Sequence, residues 1–243
     1  MNAWLDSLIA GLIPHGLNHV GAITRRSYDA AAPAEWRCER MHPPAQSIVV
    51  VGSGGRAHWN AFLSHVKQDP VARLARTSHP LDDFCRAILP SNILRGCRVI
   101  HPSMLTYDFM KLAQLAGLGA QSEIGTLVSA RFGPWFGLRA AIFTPEILPD
   151  SPAQKSLCDG CHAPCRTACP AGAVHPGFDW RACVGERQRS GSTCRTRCHS
   201  RLACVVAPEH AYDDLELLYH YDRVEGRRLL CERFGVADEA GPG

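Results

Sequence analysis

No stretch of the 243-residue chain approaches eighteen consecutive apolar residues, so no membrane-spanning helix is expected. Charge of one sign is also scarce. The net charge is +3 and charged residues make up 20% of the chain, which forces neither a nucleic-acid nor a membrane partner. The opening MNAWLDSLIAGLIPHGL has no basic region ahead of its apolar residues and carries Asp6 among them. It reads as an amphipathic helix rather than a secretory signal, and a cytoplasmic protein is expected. Internal repeats and low-complexity tracts are missing. GSGGRAHW follows a strand but lacks both G-x-G-x-x-G and the lysine of a phosphate-binding loop, so it reads as a tight strand-to-helix turn. Nor does any serine or cysteine stand in a nucleophile signature.

Apolar residues are plentiful, at 46% of the chain. That suits one sizeable domain with room for a small appended module. HVGAIT and SIVVVGSGG read as strands, the second a continuous apolar run stopped by glycines. AHWNAFLSHVKQ has helical spacing, with Trp59, Phe62 and Val66 on one face. A helix is expected around Leu81 to Ile88. Another is expected over MLTYDFMKLAQLAGLG, where Leu105, Phe109, Leu112 and Ala116 share a face and Gly117 and Gly119 stop the run. RGCRVIHP offers a further strand, and IGTLVSARFGPWFGLRAAIFTP two strands around a turn at Gly133 and Pro134. After the polar linker LPDSPAQKS comes a cysteine-rich stretch, closed by short helices near Tyr212 to Tyr221 and Arg227 to Phe234. The pattern is α+β, with a core over residues 1–150 and a loop-rich metal-binding module over residues 151–243.

Twelve cysteines need a reason. Disulfides are disfavoured in a chain of this length without an export signal. Cys38, Cys85, Cys97 and Cys231 are scattered and read as buried or incidental thiols. The other eight lie between Cys158 and Cys204. CDGCHAPCRTACP sets Cys158, Cys161, Cys165 and Cys169 in one loop closed by Pro170, which suits an iron–sulfur cage taking one external sulfur at each iron. The bacterial run spaces its cysteines two, two and three apart and ends in Cys-Pro; here the middle gap is three. Zinc is the alternative, although structural zinc sites pair two knuckles across a longer loop.

Cys183, Cys194, Cys198 and Cys204 form a looser group, with gaps of ten, three and five. The eight together make the ligand count of two [4Fe–4S] clusters, and one cluster beside a degenerate second site stays open. In two-cluster modules the fourth cysteine of each run crosses to the other cluster. On that pattern Cys204 joins Cys158, Cys161 and Cys165, and Cys169 joins Cys183, Cys194 and Cys198. Arg181, Arg187, Arg189, Arg195, Arg197 and Arg201 surround the second group. They form either a solvated basic face or a landing surface for an acidic electron donor. RNA contact ranks behind both.

AGLGAQSEIGTLVSARFG, GLRAAIFTPEILPDSP and CDGCHAPCRTACPAGAV follow one another in the order seen in epoxyqueuosine reductases and reductive dehalogenases, which the chain resembles. IGTLVSARFGPWFGLRAAIF is also similar to the CblC-type cobalamin-processing proteins, and HVGAIT fits the first strand of the reductases. The resemblance covers most of the chain, best from Ala116 to Val174. It implies a nitroreductase-like α+β core that binds a corrinoid, and a C-terminal two-cluster ferredoxin-like module that relays single electrons to the cobalt.

On this resemblance Gly117, Gly119 and Gly125 let the backbone approach the macrocycle, and Trp135 and Phe136 wall it. Ordinary turn glycines and core aromatics are the alternative. Epoxyqueuosine reductases place an acidic proton donor shortly before the AGLG stretch. Here Ser103 holds that place beside His101, and Asp108 is acidic but offset, so His101 and Asp108 are the candidate proton donors. The chain stops at Gly243, short of the helical repeats of many such reductases, and epoxyqueuosine is not the expected substrate. The expected function is a corrinoid-dependent reductase, or a reductase of the corrinoid itself. Its cofactors are two [4Fe–4S] clusters with cobalamin, or a flavin in second place. Its partners are an external donor (a ferredoxin, flavodoxin or reductase) and a small-molecule or corrinoid substrate, with no membrane and no nucleic acid. A ferredoxin-like carrier or scaffold without corrinoid is the competing expectation, and a zinc-bound adaptor follows it.

Overall fold

The computed structural model describes residues 2–103 and 108–240. The first elements are α1 (Ala3–Leu12), β1 (His19–Thr24), α2 (Arg25–Ala31), α3 (Cys38–Met41), β2 (Ser47–Gly54), α4 (Ala57–Gln68) and α5 (Pro80–Ile88). There follow β3 (Arg98–Ile100), α6 (Phe109–Leu115), β4 (Ala120–Gln121), β5 (Leu127–Val128) and β6 (Phe136–Thr144). The cysteine-rich segment carries α7 (Pro164–Thr167), α8 (Trp180–Gln188) and α9 (His199–Leu202), and α10 (Asp214–Tyr221) and α11 (Arg223–Phe234) close the chain. Leu105, expected in the helix before AGLG, lies outside the described residues; α6 itself begins at Phe109, where Asp108 caps it. No helix among the described residues is long and apolar enough to cross a membrane.

β1, β2, β6 and β3 form an antiparallel sheet in that order, which makes the fold α+β. Every residue of β2 is buried, and that is why SIVVVG reads as a continuous apolar run instead of alternating. Ile48 and Val50 pack on one face with Tyr28, Phe109, Leu112 and Phe143. Val49 and Val51 pack on the other with Leu8, Leu12, Cys85 and Ile142. Each such aliphatic side chain contributes about 1.5–3 kcal/mol on burial. Register runs evenly from Ser47 opposite Thr144 to Val51 opposite Ala140, then jumps to Gly52 opposite Leu138. Arg139 is the surplus residue of a β-bulge in β6.

The two strands expected around Gly133 and Pro134 are β5 and β6, and each pairs with a different neighbour. β5 pairs with β4, and Ser129 and Gly133 exchange bonds of 2.9 and 2.8 Å that close a tight loop before β6. The closing helices pack against residues of the core. Tyr219, Leu230 and Cys231 join Trp59, Phe62, Leu81 and Phe84 in one buried cluster. Gly226 permits the contact of α11 with α10, since a Cβ there would lie 2.4 Å from the Tyr219 Cα. Cys38, Cys85 and Cys231 are buried and Cys97 is partly so, all with free thiols. Burial pushes Cys38 up to about 12 and Cys85 up to about 11, so neither is a thiolate at neutral pH.

Candidate functional site

The fold sorts the eight clustered thiols into two sets. Cys158, Cys161, Cys165 and Cys204 line one small pocket, together with Ile124 and Val128. Burial, then the charges of Cys204, Glu123 and Cys158, push the Cys165 thiol up. Burial, Cys158 and Cys161 do the same to Cys204, against a bond from the backbone at Val206. In the second set, burial, then Cys198, Cys169 and Cys194, raise Cys183 while Arg187 opposes them. Burial, Glu186, Cys198 and Cys169 raise Cys194, against a bond from Ser192.

Thiols that oppose one another's ionisation in this way are the donor set that a cationic cluster relieves on binding. Among the described residues no three His, Cys, Asp or Glu side chains converge as a single ion would require. An iron–sulfur cage takes one protein sulfur at each iron, and Cys158, Cys161, Cys165 and Cys204 share one pocket lining. Backbone amides already point at two of the sulfurs: Ala163 N donates to Cys161 Sγ and Arg201 N to Cys198 Sγ, each at 3.4 Å. Ala163 and Ala207, each just before a proline, hold left-handed backbone at φ 52° and 49° beside the first set. Such strain gathers at functional sites.

The residues expected to hold a ring lie at the joint between this segment and the sheet. Trp135 is 1% exposed, edge-on to Tyr212 at 5.5 Å and covered by the Arg201 guanidinium at 4.8 Å. Arg201 also donates to the Pro134 carbonyl at 3.0 and 2.6 Å. Phe136 stands edge-on to His19, 5.0 Å away. Gly117 and Gly125 have φ of 73° and 72°, and a Cβ would lie 2.5 Å from the Pro152 carbonyl oxygen and from the Phe178 ring respectively. At Gly119 it would lie 3.0 Å from the Val128 oxygen. These three glycines thus admit the chain's own backbone and aromatic ring at close quarters.

A cavity of about 500 Å³ opens elsewhere, between the bulge of β6, α5 and the closing helices. Its lining includes Leu81, Cys85, Leu138, Tyr219 and the cations Arg86, Arg139 and Arg223, with Asp82 as the one carboxylate among the described residues. Of the residues expected from sequence, His101 lies here, with Ser103 beside it. His101 Nδ1 donates to the Arg139 carbonyl at 3.0 Å, so the neutral ring keeps Nε2 bare as a proton acceptor. Burial lowers its pKa, with Arg86 adding to the effect and that bond opposing it. Asp108 lies outside the cavity lining; its carboxylate accepts from Lys111 N at 2.9 Å and caps α6.

His220 is solvent-exposed at the cavity, which its ring lines; the protein packed around the ring, then Arg139, Arg201 and Arg223, hold it below the ordinary histidine value. Tyr221, next along, bonds to the Cys198 thiol and to Arg201, which ties the second thiol set to the cavity wall. Sequence reasoning missed Arg86, Arg139, Tyr219, His220 and Arg223. Four separate elements bring them together, and only the bulge at Arg139 marks one of them out.

No family model matches the chain, and no curated protein matches it. Solved structures do. One is an epoxyqueuosine reductase with an epoxyqueuosine-modified tRNA-Tyr stem loop: 16% identity over 88% of this chain and 68% of that one, TM-score 0.58. The Caenorhabditis elegans B12-trafficking protein CblC matches at 12% identity over 96% of this chain and 97% of its own, TM-score 0.60. A catabolic reductive dehalogenase in complex with 3-bromo-4-hydroxybenzoic acid matches at 16% identity over 90% of this chain and 34% of its own, TM-score 0.52. The chain therefore carries the fold that epoxyqueuosine reductases, this dehalogenase and CblC have in common.

Proposed function

We propose that the chain is an iron–sulfur redox protein whose two [4Fe–4S] clusters feed single electrons to a corrinoid at the cavity of its α+β core. One observation carries the reading: eight thiols gathered as four and four, with Cys204 among Cys158, Cys161 and Cys165. The fold neighbours support it, being reductive enzymes and a B12-trafficking protein. On this reading residues 1–150 with α10 and α11 make a nitroreductase-like core, and the cysteine-rich segment between them is a ferredoxin-like module.

Tyr221, which bonds to Cys198 and adjoins His220 of the cavity lining, supports a path from a cluster on the second thiol set to the cavity. Leu138, Arg139, Tyr219 and His220 are the residues that would hold the corrinoid. When bound, the cobalt supplies a centre that takes up one electron at a time. The chain's own groups do the rest. Leu81, Leu138 and Tyr219 exclude water, Arg139 and Arg223 hold negative charge, and Nε2 of His101 accepts a proton. An external one-electron donor (ferredoxin, flavodoxin or reductase) completes the path, and exposed Arg181, Arg187, Arg189 and Arg195 give it a basic landing surface.

Anaerobic reconstitution tests this. The chain should take up about eight iron and eight sulfide, and reduced protein should change the absorption and paramagnetic spectra of added cob(II)alamin. A colourless, iron-free product, or one binding stoichiometric zinc, defeats the reading. Clusters that form but leave the cobalt spectra unchanged defeat its corrinoid half and favour a simple electron carrier.

A further inference from the structure

The cavity holds more positive charge than the protein neutralises. Among the described residues three cations, Arg86, Arg139 and Arg223, line it against Asp82, with Asp83 behind Arg86 as the second carboxylate, an excess of three minus two charges. Arg86 pairs with Asp83 at 2.8 Å. Among the described residues Arg139 and Arg223 form no ion pair; Arg139 donates to Ser53 Oγ at 3.1 Å and Arg223 to His79 Nδ1. Glu216 lies close enough to feel Arg139, but burial and Asp213 push its carboxyl up to about 8, so it offers no counter-charge at neutral pH. A half-buried guanidinium without a counter-ion costs stability. Here it stands on a bulge that re-aims it, the kind of irregularity that recurs beside active sites.

We propose that this cavity binds a small organic oxyanion, a carboxylate or a phosphate monoester. Its head would sit between Arg139 and Arg223 and its body against Leu81, Pro102, Leu138 and Tyr219. Guanidinium forks match such heads with two parallel bonds each. A cavity of about 500 Å³ with an apolar wall takes a molecule of one ring or a short chain. The ligand's role as substrate rests on the redox reading above, whereas its binding does not.

The test is calorimetric titration of the anaerobic, cluster-loaded chain, without corrinoid, using benzoate, phenyl phosphate and the uncharged benzamide. Either oxyanion should bind roughly tenfold or more tightly than benzamide, and the tighter of the two identifies the head group. Arg139→Gln and Arg223→Gln should each weaken it roughly tenfold or more. Arg228→Gln, whose guanidinium pairs with Glu225 and Glu232, should leave it unchanged. Arg223 is exposed at the start of α11, so its variant serves if Arg139→Gln fails to fold. Equal affinity for benzoate and benzamide, no binding of either oxyanion, or tight binding that survives both substitutions overturns the proposal. A silent cob(II)alamin titration would leave it standing.

Discussion

Glu216 is 3% exposed and has Arg56 3.5 Å away, yet burial and Asp213 hold its proton to about pH 8. Unfolded, it titrates near 4.5. Between these values the native chain binds more protons than the unfolded one, so stability falls as pH rises through that window and levels off above it. Glu216→Gln keeps the shape without the titration. Thermal unfolding from pH 5 to pH 9 should show the parent losing a few kcal/mol relative to the variant, on the order set by about 1.4 kcal/mol per pKa unit. Parallel curves would mean that the carboxyl ionises freely. No sequence signal singles out Glu216, because its character comes from depth. Arg139 is alike: GLRAAIF reads as plain strand, and a surplus residue shows only in its pairing with β2.

Elements were more legible than their contacts. HVGAIT, SIVVVGSG and AHWNAFLSHVKQ coincide with β1, β2 and α4, since continuous or helically spaced apolar residues have one way to be buried on both faces of a sheet or on one face of a helix. β5 pairs with β4 because local closure at Gly133 takes the strand away from β6, a choice of partner that alternation does not encode. Cysteine spacing marked all eight candidate ligands, but their grouping depends on α9 carrying Cys204 back to the first loop. That grouping makes a prediction: Cys204→Ala should halve the iron and remove one cluster signal, and Cys198→Ala should remove the other. If metal content and spectra of reconstituted Cys204→Ala match those of the parent, the grouping is wrong.

Taken whole, the molecule has unequal parts. The sheet and its helices bury dozens of apolar side chains, whereas between Cys158 and Cys204 the described residues bury only Ala173, Val174 and Ser200. Helices of four residues, such as α7 and α9, do not sustain themselves. On the proposed reading, bound clusters supply most of the order there. Hydrogen exchange on metal-free protein should show amides of 158–204 exchanging rapidly while β2 and β6 stay protected. Equal protection in both regions would show a segment that needs no metal.

Arg139 has one more consequence. Ala140 and Ile142 look towards α1 and α5, and Ala141 and Phe143 towards α6; past the bulge Phe136 and Leu138 also look towards α6. β6 is two half-strands of opposite parity spliced at one guanidinium. Losing or gaining a single residue at that splice would swap the inward and outward sets along half of a central strand. At position 139 the fold can tolerate a different side chain far more readily than a different count.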